Sequence, residues 1–206
     1  LVTAIFSVAD MMIRTQSDRM TGKNGSWHIE LDGISQETAL KIAERDDVVS
    51  IGAVTIFNPD GELPYRMDGK RVVLYGIDES YLTMNSTGAA EGRFPQGMGE
   101  IMLSSNAARV LQVAVGDTVT LRTPSGDWDF TVSGLGGVEE SYYSGQYSLM
   151  DAYLPRTAFA ALMEQNNVHN LQTSYYVQFT SASKAAKAIP ELTAQHNLPE
   201  KAVSEN

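Results

Sequence analysis

The sequence predicts an α+β protein of two subdomains, in which two separated β-α-β halves form one subdomain and a strand-rich mixed subdomain is inserted between them. Three observations predict this. A strand-helix-strand pattern runs from Trp27 to Phe57, a similar plan recurs from Tyr175 onward, and short strands dominate the stretch between. At 206 residues, 43% hydrophobic and 19% charged, the chain has enough apolar material for a substantial core.

The first thirteen residues, LVTAIFSVADMMI, place Leu1, Ile5, Val8 and Met12 on one helical face. The run is shorter than the roughly 20 apolar residues a membrane helix needs, and it lacks the basic start and small-residue exit of a signal peptide. It reads either as an amphipathic helix on the core or as the exit of a membrane helix into an extracytoplasmic stalk. After the polar loop TGKNGS comes WHIEL, whose alternation puts Trp27, Ile29 and Leu31 on one strand face and His28 on the solvent side. Ser35 suits a helix N-cap, with Glu37 in the first turn where the helix dipole favours an anion. The helix should reach about Arg45 and bury Ala39, Leu40, Ile42 and Ala43, until Asp46 and Asp47 break it. VVSIGAVTIF (48–57) follows as a near-continuous apolar strand ending at the turn NPDG.

In the middle, VVLYGI (72–77) and Ile101–Leu103 read as strands and Asn106–Leu111 as a short helix. Thr118–Arg122 and Asp127–Ser133 flank a hairpin bend at TPSGD. Gly134–Ser148 is a long loop rich in Gly, Ser and Tyr, after which Met150–Leu154 is a strand and Arg156–Glu164 a helix. YYVQF (175–179) alternates as a strand, Ser181 and Ser183 are candidate caps, and a helix over Lys184–Gln195 carries Ala185, Ala188, Ile189 and Leu192. Pro190 should kink or stop that helix. The expected division is 27–62 with 172–206 as the two β-α-β halves, a degenerate internal repeat, and 63–171 as the insert.

A net charge of -10 argues against nucleic-acid or anionic-lipid partners, which require clustered Lys and Arg. The absence of cysteine excludes disulfides, thiolate metal sites and Cys nucleophiles. His28, His169 and His196 have no partner at metal-site spacing, and no glycine pattern for cradling nucleotide phosphates occurs. No cofactor is expected. Asp127 and Asp129 alternate on a strand, so they face one side, either as paired carboxylates for a cation or for acid-base chemistry or as the solvated face of a hairpin. Asn58, Asp60 and Glu62 resemble a calcium loop, but Pro59 and Gly61 account for them as a turn. NGS (24–26) and NST (85–87) fit the glycan acceptor pattern. Tyr142, Tyr143 and Tyr147 offer rigid contact area for a partner or substrate, or act as lids on a nearby core.

The segment EGRFPQGMGEIMLSSNAARVLQVAVGDTVTL, followed by FTVSGL and YLPRTAFAAL, resembles the extracytoplasmic core domain of MacB-like and FtsX-like ABC transporter permeases. The matching positions are Gly92, Arg93, Pro95, Glu100, Ile101, Leu103, Val115, Gly116, Asp117, Val119 and Leu121. Their chemistry suits a scaffold: glycines for turns of positive φ, Pro95 to stiffen a bend, Asp117 to bond backbone amides. The resemblance implies a porter-like, non-enzymatic domain outside the cell membrane, between the first and second membrane helices of a permease, with residues 1–26 as a stalk. It also implies a cytoplasmic ATP-binding subunit or domain and a second permease copy as partners, and export of a peptide, lipid or lipoprotein or action on an external protein. The other readings are a freestanding extracytoplasmic module that binds peptide or glycan, and a hydrolase using Asp127 with Asp129.

Overall fold

The computed structural model describes residues 25–85, 89–136 and 149–206. Four strands make the first sheet: β1 (Ile29–Asp32), β2 (Val48–Phe57), β10 (Thr173–Phe179) and β11 (Val203–Glu205), in the order β11-β1-β10-β2. All three pairings are antiparallel. The strands β1 and β2, joined by helix α1 (Gln36–Ala43), therefore do not touch, because β10 lies between them. Likewise β1 separates β10 from β11, which helix α5 (Ala182–His196) connects. The two β-α-β halves are split, and each supplies the strand that fills the other's gap.

Residues of one face of this sheet, Ile29, Leu31, Val177 and Phe179, pack with Ala39 and Ile42 of α1 and Ala188 and Leu192 of α5. Ser35 caps α1 by accepting from the Thr38 N–H at 3.1 Å, and Ser181 caps α5 through the Lys184 N–H. Three local expectations are corrected. Leu40 is 57% exposed, because α1 turns only its Ala39 and Ile42 side to the sheet. The helix α5 does not stop at Pro190 but continues to His196, with Pro190 on its exposed side. Trp27 precedes β1, so it escapes the strand's alternation and packs edge-on against Tyr176, 4.9 Å between ring centres.

The rest of the chain closes a barrel from β3 (Arg66–Met67), β4 (Lys70–Ile77), β6 (Glu100–Leu103), β7 (Thr118–Thr123), β8 (Gly126–Gly136) and β9 (Leu149–Pro155). Its circuit runs β4-β3-β7-β8-β6-β9 and returns to β4 through seven parallel register pairs, Arg71↔Leu149 to Ile77↔Pro155. A further strand, β5 (Ala89–Gly92), pairs with the far end of β8. Met67, Leu74, Ile101, Leu121, Phe130 and Leu154 belong to the barrel core, packed with Phe159 and Leu162 of helix α4 (Arg156–Gln165). Helix α3 (Ser105–Leu111) adds Ala107 to that core.

One edge of β4 pairs first with β3, through Lys70 and Arg71, and then with β2, through Leu74–Ile77. The split sheet and the barrel are thus one continuous sheet. A cluster of Val54, Ile77, Leu82, Met102 and Tyr153 fills the junction, with Tyr81 of helix α2 (Glu79–Met84) among them. The ring of Tyr81 lies 5.1 Å from Tyr176, and Tyr75 stacks on Tyr153 at 4.8 Å. The helix α2 reaches β2 because position 52 has no side chain: a Cβ on Gly52 would stand 2.4 Å from the Tyr81 nitrogen. Gly52→Ala should therefore push α2 off the sheet and cost about 1–3 kcal/mol by overpacking, read as a lower midpoint in urea unfolding.

Candidate functional site

The segment whose residues pointed to a permease forms one corner of the barrel. Arg93 pairs with Glu100 seven residues on: Nη1 donates to Oε2 at 2.9 Å and Nη2 to Oε1. The same carboxylate accepts the backbone N–H groups of Gln96 at 2.8 Å and Gly97 at 3.2 Å. Four donors on one carboxylate, the Arg93 guanidinium first among them, hold it down to about 2. The loop between, with Pro95 buried, is thereby fixed at the entrance to β6.

Gly92 stands at φ +72°, and a Cβ there would meet the Ser133 carbonyl oxygen at 2.4 Å, since the Arg93 N–H donates to that oxygen at 2.9 Å. On the opposite side of the corner, Gly116 has φ +98° and donates its N–H to the Val132 carbonyl at 2.8 Å. Asp117 accepts the Ala114 N–H on Oδ2 at 2.8 Å while its own carbonyl accepts from Val132. Ile101, Leu103, Val119 and Leu121 point into the barrel core, whereas Val115 stays exposed. These residues, up to 29 apart in sequence, meet on β8.

The other candidates separate. Asp127 and Asp129 share the exposed face of the β7–β8 hairpin; Asp127 pairs with Arg122 at 3.3 Å and Asp129 accepts from the Thr120 hydroxyl at 2.6 Å. Among the described residues no group of three or more His, Asp or Glu is placed to hold a metal. Asn58 is a buried turn residue at φ +59°, donating to the Val72 carbonyl and accepting the Leu63 N–H, both at 2.9 Å, with Asp60 and Glu62 exposed beside it. His28 is half-buried, correcting its expected exposure: its Nδ1 accepts the Phe179 N–H at 3.0 Å, and burial lowers its pKa. His169 is exposed and bonded to Asn167, and His196 ends α5. Tyr142, Tyr143 and Tyr147, with most of their loop, lie outside the described residues, as do residues 1–24 and most of NST.

The sequence did not signal the junction between split sheet and barrel. Asp78, which precedes α2, accepts the Ala53 N–H at 3.1 Å and faces Arg156 of α4 across 3.8 Å. Burial raises the Asp78 carboxyl, against the pull of Arg156 and the amide. Arg156 lies over the Tyr175 ring, 5.9 Å from its centre. The residues come from positions 53, 78, 156 and 175, and no local pattern joins them.

A fold similar to this split sheet and barrel occurs in two solved domains. The periplasmic region of MacB from Actinobacillus actinomycetemcomitans is similar at a TM-score of 0.62 and 16% identity, over 91% of both chains. A domain of a putative permease protein from Porphyromonas gingivalis is similar at 0.53 and 15%, over 90% of this chain and 88% of that one. No curated protein sequence matches the chain. The chain belongs to the MacB-like periplasmic core domain family, whose description matches residues 1–195. It is the extracytoplasmic domain of an ABC transporter permease, a class that works with a cytoplasmic ATPase. Among the described residues no helix is long and apolar enough to cross a membrane.

Two outcomes follow from the corner. Gly92→Ala should cost roughly 2 kcal/mol or more, because it combines a left-handed φ with a backbone clash, and thermal melting reads the loss. Glu100 has a lowered folded pKa, so its contribution is complete above the unfolded carboxylate range and vanishes as pH falls toward about 2. Glu100→Gln should consequently be less stable than the parent at pH 7, with the gap closing below about 4 in denaturant titrations across pH.

Proposed function

We propose that this domain transmits ATPase-driven motion outward as a stiff lever, to export a peptide, lipid or lipoprotein or to act on an external protein. The observation that carries the reading is the continuous hydrogen-bonded sheet. The strand β2 pairs with β10 on one side and β4 on the other, and β4 pairs with β9, so a displacement of the split sheet reaches the barrel through backbone bonds. The aromatic side chains Trp27, Tyr176 and Tyr81 back this junction.

In this reading residues 27–62 and 172–206 are the membrane-proximal subdomain and 63–171 the distal one. The first and last segments of this subdomain are tied together: the Asn206 side chain donates to the Trp27 carbonyl at 2.7 Å and its N–H to the His28 carbonyl at 3.1 Å. The chemistry of transport then belongs to the ATPase, and the domain's share is mechanical. A second permease copy moves against the first.

The chain has no cysteine, so paired spin labels can be placed cleanly. Labels at Leu40 on α1 and Arg109 on α3, both exposed, report on the inside of the lever in the intact permease with its ATPase. The expected result is an unchanged Leu40–Arg109 distance between nucleotide-free and ATP-bound states, while the Leu40–Leu40 distance between copies shifts. A change within the domain as large as that between copies refutes the lever.

A further inference from the structure

A cleft of about 630 Å3 opens between the split sheet and α4, within the roughly 300–1,000 Å3 range of small-molecule sites. Its polar end is built from Arg156, Asp78 and the hydroxyl pair Thr55–Thr173, whose oxygens are 2.7 Å apart. One wall is backed by Phe159 and Met163 of α4, buried at 5% and 3% exposure, with the half-buried Val168 and Leu171 after it and Glu164, His169 and Asn170 at its polar rim.

Arg156 is the unusual member. Its side chain is only 30% exposed, yet its acidic neighbour Asp78 stands at 3.8 Å, beyond hydrogen-bond reach. Asp78 Oδ2 already accepts the Ala53 N–H, so the carboxylate faces the backbone as well as the arginine. Tyr175 offers its ring face, which satisfies charge but none of the guanidinium's N–H groups. Among the described residues nothing accepts a hydrogen bond from this half-buried guanidinium, a state that favours a bidentate anion. Arg156 also opens α4, whose Pro155 cap makes no side-chain bond to the first amides, so the helix dipole adds to the positive end of the cleft.

We propose that this cleft binds an amphipathic carboxylate, its anionic head on Arg156 and the first turn of α4 and its apolar chain along Phe159, Met163, Val168 and Leu171. The same chemistry is presented by a fatty acid and by the hydrophobic C-terminus of a peptide. The site is independent of the lever reading, since it needs no motion of the domain. It sits where α4 of the barrel faces the split sheet, so an occupant touches both.

The test is calorimetric titration of the 206-residue chain with laurate, with its neutral alcohol analogue, and with a leucine tetrapeptide carrying a free or an amidated C-terminus. At least one carboxylate should bind saturably, and its neutral analogue roughly tenfold or more weaker. Arg156→Gln should erase that preference, and Leu171→Trp, which fills the apolar wall and leaves Arg156 in place, should block binding. Laurate binding with a silent peptide assigns an acyl ligand, and the reverse assigns a peptide terminus. No saturable binding, equal binding of neutral analogues, or parent-like binding by Arg156→Gln overturns the proposal. If circular dichroism shows Arg156→Gln unfolded, Leu171→Trp decides alone, and undiminished binding to it is the overturning result.

Discussion

The placement of β4 constrains everything else. A strand has two edges, and β4 spends one on β9 and divides the other between β3 and β2. That division forces the barrel to close at one end of β4 and the split sheet to begin at the other. These contacts are backbone hydrogen bonds in fixed register, so the split sheet and the barrel share one ladder through β2 and β4. Side chains then make the arrangement specific: a one-residue slip of β4 would exchange Leu74, packed inside the barrel, for Tyr75, which stacks on Tyr153 at the junction.

The two cores differ in how they are built. In the split sheet the apolar face is covered by two helices, so α1 and α5 each need only one stripe of small or branched residues. In the barrel the sheet covers itself: Met67, Leu121 and Phe130 on the consecutive strands β3, β7 and β8 fill the interior with Leu74, Ile101 and Leu154 of β4, β6 and β9. The corner formed by Gly92, Arg93, Glu100 and Asp117 serves this second core. It holds two turns against β8 by carboxylate-to-amide bonds, with glycine where the chains come too close for a side chain. Electrostatics here is local: Arg93 and Glu100 act through donors a few ångströms away in a chain whose net charge is -10.

The polar groups at the junction obey a different logic. Asp78 is pushed up by burial at the start of α2, and Arg156 lies beside it without closing a tight ion pair. Such a loose pair leaves hydrogen-bonding capacity facing a cleft.

Much was legible in the residues themselves. A near-continuous apolar run located β2 to the residue, the Ser35 cap and one of the two candidate caps, Ser181, located the starts of α1 and α5, and the spacing from Gly92 to Leu121 pointed to the family. Short elements were not legible: β3, β5, α2 and β11 have two to six residues, too few for any period to show, and they exist because neighbours supply their hydrogen bonds. Leu40 and His28 were misplaced for a related reason, since a periodic pattern gives a face but not what will cover it. The interlocking of the two β-α-β halves and the cleft around Arg156 were decided only by tertiary structure. Sequence fixes what each residue can do with its near neighbours through local sterics and periodicity; which distant strand occupies a given edge depends on packing summed over the whole chain, and no window of residues contains it.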